Sequence, residues 1–144
     1  MSGEKTRMAV RWFEEVWNQG RREVIDELLA ADCTIHDGSS AIQGPQEFKV
    51  FYDRIRAAFS EIRVTPEHGI SADGHVCMRW SLTARHTGDG LGMPATGRVV
   101  EATGMTIVRI VNGRFAEGWQ NWDMLGLMQQ ITGAETARTY MAAG

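Results

Sequence analysis

The apolar residues of this chain change their spacing near residue 60, and that change limits the folds open to it. Before it they recur every three to four residues. Met8, Trp12 and Val16 fall at i, i+4 and i+8, and Ala9, Phe13 and Trp17 repeat the pattern one position later. So wide a stripe is what a helix needs when one side packs on a core. Gly20 suits the left-handed position that ends such a helix. The spacing predicts a second helix with Val24, Ile25, Leu28 and Leu29 on one face. A third starts near Gly44-Pro45, where the missing proline N–H costs nothing, and carries Phe48, Phe51, Tyr52, Ile55 and Phe59.

Past residue 60 the period is two. Residues 61–70 read as a strand interrupted by Pro66, which belongs at an edge or a bulge. Asp73-Gly74 is a turn signal. From His75 to His86, Val76, Met78, Trp80 and Leu82 alternate with Cys77, Arg79, Ser81 and Thr83. Residues 87–97, with four glycines and Pro94, read as a mobile pocket lid. Val99–Val111 and Phe115–Asp123 are strands joined at Asn112-Gly113, and Leu125, Leu127, Met128 and Ile131 mark a closing helix. This α+β order predicts one domain over residues 1–144, with 1–5 and 134–144 as flexible tails. N-terminal helices would pack on one face of a curved antiparallel or mixed sheet, leaving a cavity between them.

Composition removes other classes. With 144 residues, 43% of them hydrophobic, the chain can bury a core. A net charge of −3 argues against nucleic acid or an anionic membrane as partner. No stretch approaches the roughly 18 apolar residues of a membrane span. The first residues lack the apolar segment of a secretory signal, so the expected location is the cytoplasm. Cys33 and Cys77 form no CxxC or zinc spacing and read as reduced, buried small hydrophobes. With no HExxH and no His/Asp cluster, no metal is expected. The Gly-x-Ser-x-Gly of serine hydrolases is absent. Gly88-Asp89-Gly90-Leu91-Gly92 lacks phosphate-loop spacing.

Asp123 is the most informative candidate. It ends a strand carrying Trp119 and Asn121, and alternation puts all three on one face. A carboxylate flanked by Trp and packed against apolar helices would have a raised pKa, as a general base requires. The competing role is to N-cap the last helix. The hairpin at Asn112-Gly113 allows two registers. A two-residue turn sets residue 102 opposite 123, with Gly104, Thr106 and Val108 on its face. A bulged turn sets 101 opposite and brings Glu101, Thr103, Met105, Ile107 and Arg109 there. His86 is a candidate acid, base or oxyanion donor. His36 and Asp37 could orient one another, and Trp119 or Trp80 could stack on a flat ligand.

Certain stretches carry a family likeness. They are Trp17-Asn18-Gln19-Gly20; Ala31-Asp32 leading to His36-Asp37; and His86-Thr87-Gly88 with Pro94-Ala95-Thr96-Gly97-Arg98. Asn112-Gly113-Arg114 follows, then Glu117-x-Trp119-x-x-x-Asp123 and Leu125-Gly126-Leu127-Met128-Gln129-Gln130. In this order the chain resembles the SnoaL-like polyketide cyclases of the nuclear transport factor 2-like superfamily. The resemblance implies a cone-shaped α+β barrel, usually a homodimer or higher oligomer. It implies a small aromatic polyketide substrate and an aldol ring closure that needs no cofactor. It assigns the acid/base role to Asp123, and His86 stands beside it as the second catalytic candidate read from the residues. Substrate contacts would come from His36, Trp119, Asn121, Arg109, Met105 and Glu101. Arg109 stands where polar residues, including histidine, are expected. Some relatives on the scaffold hydroxylate anthracycline-type polyketides, and others are non-catalytic binding or dimerisation modules. Epoxide hydrolysis by Glu101, Arg109 and Asp123 would require the bulged register.

Overall fold

The protein is described from a computed structural model over residues 3–133. The expected flexible tail at 134–144 and residues 1–2 lie outside the described residues. Residues 3–5, also expected to be flexible, begin helix α1 (Gly3–Arg11). The helix does not continue regularly to Gly20. It passes into a π-helical segment, Trp12–Asn18, a wider winding that leaves backbone carbonyls looking for donors. Two are found on α3 (Gly44–Ala58): the Tyr52 hydroxyl donates to Val16 O at 2.8 Å and the Arg56 guanidinium to Trp17 O at 2.7 Å. Between them lies α2 (Val24–Leu28), shorter than its apolar spacing suggests because Leu29 already belongs to a strand.

Six strands form one mixed sheet in the order β2-β1-β6-β5-β4-β3. They are β1 (Leu29–Asp37), β2 (Ser40–Gln43), β3 (Phe59–Ala72), β4 (His75–His86), β5 (Val99–Val111) and β6 (Arg114–Trp122). Helix α4 (Met124–Thr132) follows. All neighbours are antiparallel except β1 and β6, which run parallel. The helices pack on one side, as an α+β order requires, and the sheet stays open, with β2 and β3 as its edges. β1 and β2 are absent from the helix-dominated reading of the first third. Cys33 and Ile35 alternate inward there, and Gly38 (φ 62°) supplies the turn between them. Pro66 sits on the edge strand beside a register shift between Pro66 and His68, where its missing N–H breaks no ladder.

The β5–β6 hairpin follows neither expected register. Val111 pairs with Arg114, so Asn112 and Gly113 form a two-residue turn with φ of 51° and 74°. The register then slips between Arg109 and Ile110, because Ala116 is an extra residue between Phe115 and Glu117. Beyond the slip, Arg109, Ile107 and Met105 oppose Glu117, Trp119 and Asn121. The Asp123 N–H donates to Thr103 O at 3.0 Å. The bulge that defines the face therefore lies past the turn.

Candidate active site

Between the helices and the inner face of the sheet lies a narrow cleft of about 60 Å3. Trp12, Phe13 and Trp17 wall it on the helical side, and Trp80, Leu82 and Trp122 on the sheet side. Phe51 and Ile55 of α3 and Leu127 of α4 close its ends. Two features shape the sheet-side wall. A Cβ at Gly104 would come 2.5 Å from the Trp80 ring and 2.8 Å from Trp122 Cβ, so only glycine on β5 lets Trp80 lie across it. The Trp80 indole N–H donates to Thr106 Oγ1 at 2.9 Å, which fixes the ring and satisfies its polar edge. Gln120 is the lining residue with a polar aliphatic side chain.

The sheet's two faces divide the sequence candidates. On β6, Gln120 and Trp122 face the cleft; Trp119 and Asn121, one residue out of phase, face the other way. On this outer face Trp119 stacks on His36, with centroids 5.5 Å apart and rings inclined by 18°. The His36 imidazole meets Glu117 at 2.8 Å, and Arg109 lies 3.6 Å from the same carboxylate. His36 above all, and Arg109 secondarily, hold the Glu117 carboxyl below its ordinary range. Met105 is 56% exposed, and Asn121 is exposed too. Glu101 is likewise exposed, and its backbone is clamped by the Gln130 amide at 2.7 Å. The expectation that Trp119, Asn121, Arg109, Met105, Glu101 and His36 contact a substrate in the cleft is thus corrected: past the bulge at Ala116, Trp119 and Asn121 turn to the outer face, which His36 of β1 and Arg109, Met105 and Glu101 of β5 share.

Asp123 is corrected in position as well. It was expected to point inward, yet it is exposed and does not line the cleft. Its Oδ1 accepts from Gly126 N at 2.9 Å, which caps α4. A Cβ at residue 126 would collide with that carboxylate, so Gly126 and the cap come as a pair.

His86 is the sequence candidate that does face inward. It is 0% exposed, and its ring lies against Phe59, a wall of the cleft. Its Nδ1 lies 3.1 Å from Thr96 Oγ1 and 3.3 Å from the Thr96 backbone nitrogen, and its Nε2 is buried with no hydrogen-bond partner among the described residues. The 87–97 loop folds back from it. Thr87 and Gly88 N–H groups donate to Ala58 O, Gly97 N to His86 O, and no loop residue lines the cleft. The loop is an anchored flap beside the site, and the lid expected of it does not cover the cleft.

Asp37 entered the sequence reading only as a group that could orient His36. It ends β1 on the side of the buried Cys33 and Ile35, opposite Gln120 in the parallel register. Burial pushes its carboxyl up, while the Gln120 and Trp122 side chains, as hydrogen-bond donors, partly oppose the shift. The signal for it was the alternation Cys33, Ile35, Asp37. No group of three or more His, Cys, Asp or Glu side chains poised to hold a metal ion occurs among the described residues. Nor is any helix among them long and apolar enough to cross a membrane.

Comparison with known proteins agrees with this architecture. The profile of the SnoaL-like polyketide cyclase family matches residues 7–131. Aklanonic acid methyl ester cyclase DauD of Streptomyces sp. (strain C5) is 30% identical over 129 residues, 85% of this chain and 78% of that protein. The crystal structure of a candidate SnoaL-like polyketide cyclase from Jannaschia sp. CCS1 superposes with a TM-score of 0.85 at 22% identity, covering 92% of this chain and 94% of that one. AclR of Streptomyces galilaeus, a candidate hydroxylase, reaches 0.84 at 18% identity over 93% and 88% of the two chains. At these identities the two structures show the fold alone.

Proposed function

The chain belongs to the SnoaL-like polyketide cyclase family, and from that premise we propose that it closes a ring of a polycyclic aromatic polyketide ester by intramolecular aldol condensation without a cofactor. The observation that carries this is the cleft, whose facing walls of Trp12, Phe13 and Trp17 against Trp80 and Trp122 suit a flat fused-ring substrate. The relatives named for methyl ester cyclisation supply the reaction class.

In this reaction a base removes the proton from a carbon α to a carbonyl, and the electron pair delocalises as an enolate. The enolate carbon bonds to a second carbonyl carbon, whose oxygen takes the proton back. Excluding water strengthens each electrostatic contact. His86 is the candidate for contact with a developing oxyanion, because its Nε2 is buried and without a partner and its ring lies against Phe59, a wall of the cleft. Asp123, the motif carboxylate, would act only from outside the cleft lining, where it now caps α4.

Incubation with an aromatic polyketide methyl ester tests the proposal. The expected product is isomeric with its substrate or lighter by one water in mass spectrometry. A product heavier by one oxygen would point to hydroxylation instead, and an unchanged ester would defeat both readings. The proposal includes a homodimer. The outer face presents Ile107 at 39% and Met105 at 56% exposure beside Trp119, an apolar row that a second copy would cover.

A further inference from the structure

Trp80, Gly104 and Trp122 stand side by side across three strands, since Trp80 pairs with Gly104 and Gly104 with Trp122. This row divides the interior. On β4, Leu82 and Ala84 line the cleft on one side of it, while Val76 and Met78 line a small apolar hollow of about 10 Å3 on the other. Phe13 borders both spaces, and Thr106 borders the hollow. The buried Trp80 ring stands between them, its centroid 6.1 Å from that of Phe13 and its indole N–H donated to Thr106 Oγ1. A Cβ on residue 104 would lie 2.5 Å from Trp80 Cζ2 and 2.8 Å from Cη2, so the benzo edge of the indole fills the space that a side chain there would take. We propose that Trp80, seated by Gly104 and pinned by Thr106, is the end wall that sets how long a flat ring system the cleft accepts.

This rests on the cyclase reading and adds the dimension of the substrate that the site selects. With the indole in place the cleft stops at the row. With a shorter side chain it runs on into the hollow, whose Val76 and Met78 walls suit an aromatic ligand as well as the cleft does. The cleft is narrow, about 60 Å3, so a single wall decides what fits. One methylene in an apolar pocket already changes selectivity roughly 10- to 200-fold, and the outer ring of an indole is larger than that. Gly104 touches no ligand in this arrangement. It is a positioning residue that acts by leaving room for Trp80.

Calorimetry on the whole chain tests this with two flat ligands, an anthraquinone of three fused rings in line and a naphthacenequinone of four. Wild type is compared with Trp80→Phe, Gly104→Ala, the double variant and Thr106→Val, after thermal melts show which of them fold. Wild type should bind the shorter ligand at least ~10-fold more tightly than the longer. Trp80→Phe, which lacks Cζ2 and Cη2, should erase that preference. Gly104→Ala should widen it, because the new Cβ pushes the indole off its seat and into the cleft. In the double variant the ratio should stay near that of Trp80→Phe, a non-additivity that marks direct contact. Crowding of the same Cβ against Trp122, 2.8 Å away, would weaken both ligands alike and leave the ratio in place, as any merely structural damage would. Thr106→Val keeps the shape, frees the indole and should narrow the preference several-fold. Wild-type ratios in Trp80→Phe and Thr106→Val, or a wild type that binds both quinones equally, overturn the end wall and leave the cyclase reading untouched. A wild type that binds neither removes the cleft as a site for flat ligands and takes both readings with it. The expected ratios without turnover of the polyketide ester would sustain the end wall and defeat the cyclisation alone.

Discussion

Strand β6 carries two chemistries a single residue apart. On its outer side Trp119 lies among ionisable groups: His36 and Glu117 in contact, Arg109 within 3.6 Å of Glu117, and His75 with its ring 6.3 Å from the indole. On its inner side Gln120 and Trp122 meet aromatic rings. Water explains the contrast. Outside, charges are solvated and their pairs contribute little. Inside, an ionisable group is costly unless something holds it, so the buried His86 is the one to suspect of function. The crowded face looked more like an active site in the sequence, but the sparse one borders the cleft.

The largest effect expected to separate the faces is Trp80→Ala. Removing an inner-wall indole should lower unfolding free energy by ~3–5 kcal/mol, read by denaturant titration. A loss under ~1 kcal/mol would show that the wall is not part of the core. Next is Asp123→Ala, expected to cost ~1 kcal/mol through loss of the α4 cap, with Asn restoring most of it. Little change in turnover would accompany either substitution if the residue acts as a cap. On the outer face Glu117→Gln should cost less than either of these, and less still in high salt. Smallest in stability is Ile107→Glu, expected within ~0.5 kcal/mol for the isolated chain. Sedimentation should nevertheless show it shifted toward monomer, and an unchanged mass would place the oligomer interface elsewhere.

The pH dependence of stability sharpens the same comparison, with opposite signs on the two faces. The Asp37 carboxyl is raised in the folded state, so its ionisation costs stability. That cost is absent below the unfolded pKa and complete above the folded one. Asp37→Asn should therefore melt at or above wild type near neutrality, with the advantage vanishing in acid. The Glu117 carboxyl is held low, so its contribution is present above the unfolded pKa and lost as the pH falls through the folded one. Melting curves of Asp37→Asn and Glu117→Gln from pH 3 to 8 would reveal either sign as wrong.

Much of the architecture was legible because it repeats. The stripe at Met8, Trp12 and Val16, the alternation from Val76 to Leu82 and the turns at Asp73-Gly74 and Asn112-Gly113 each fix an element locally. The β1–β2 pair was missed because nine residues of β1 mix polar and apolar types, and only Cys33 and Ile35 signal a buried side. The expected site went to the wrong side for one reason. A bulge at Ala116 reverses which alternate residues face inward, and nothing in Arg114-Phe115-Ala116-Glu117 announces it.

Sequence by itself determined the elements, their order, the family and the aromatic supply of the cleft, since each depends on neighbours a few positions apart. Tertiary structure alone decided which face of β6 looks inward, that Asp123 caps a helix, and that Asp37 meets Gln120 across more than eighty residues of chain. Those outcomes hang on register between distant strands. A one-residue slip there moves every side chain to the other side of the sheet while leaving local propensities unchanged.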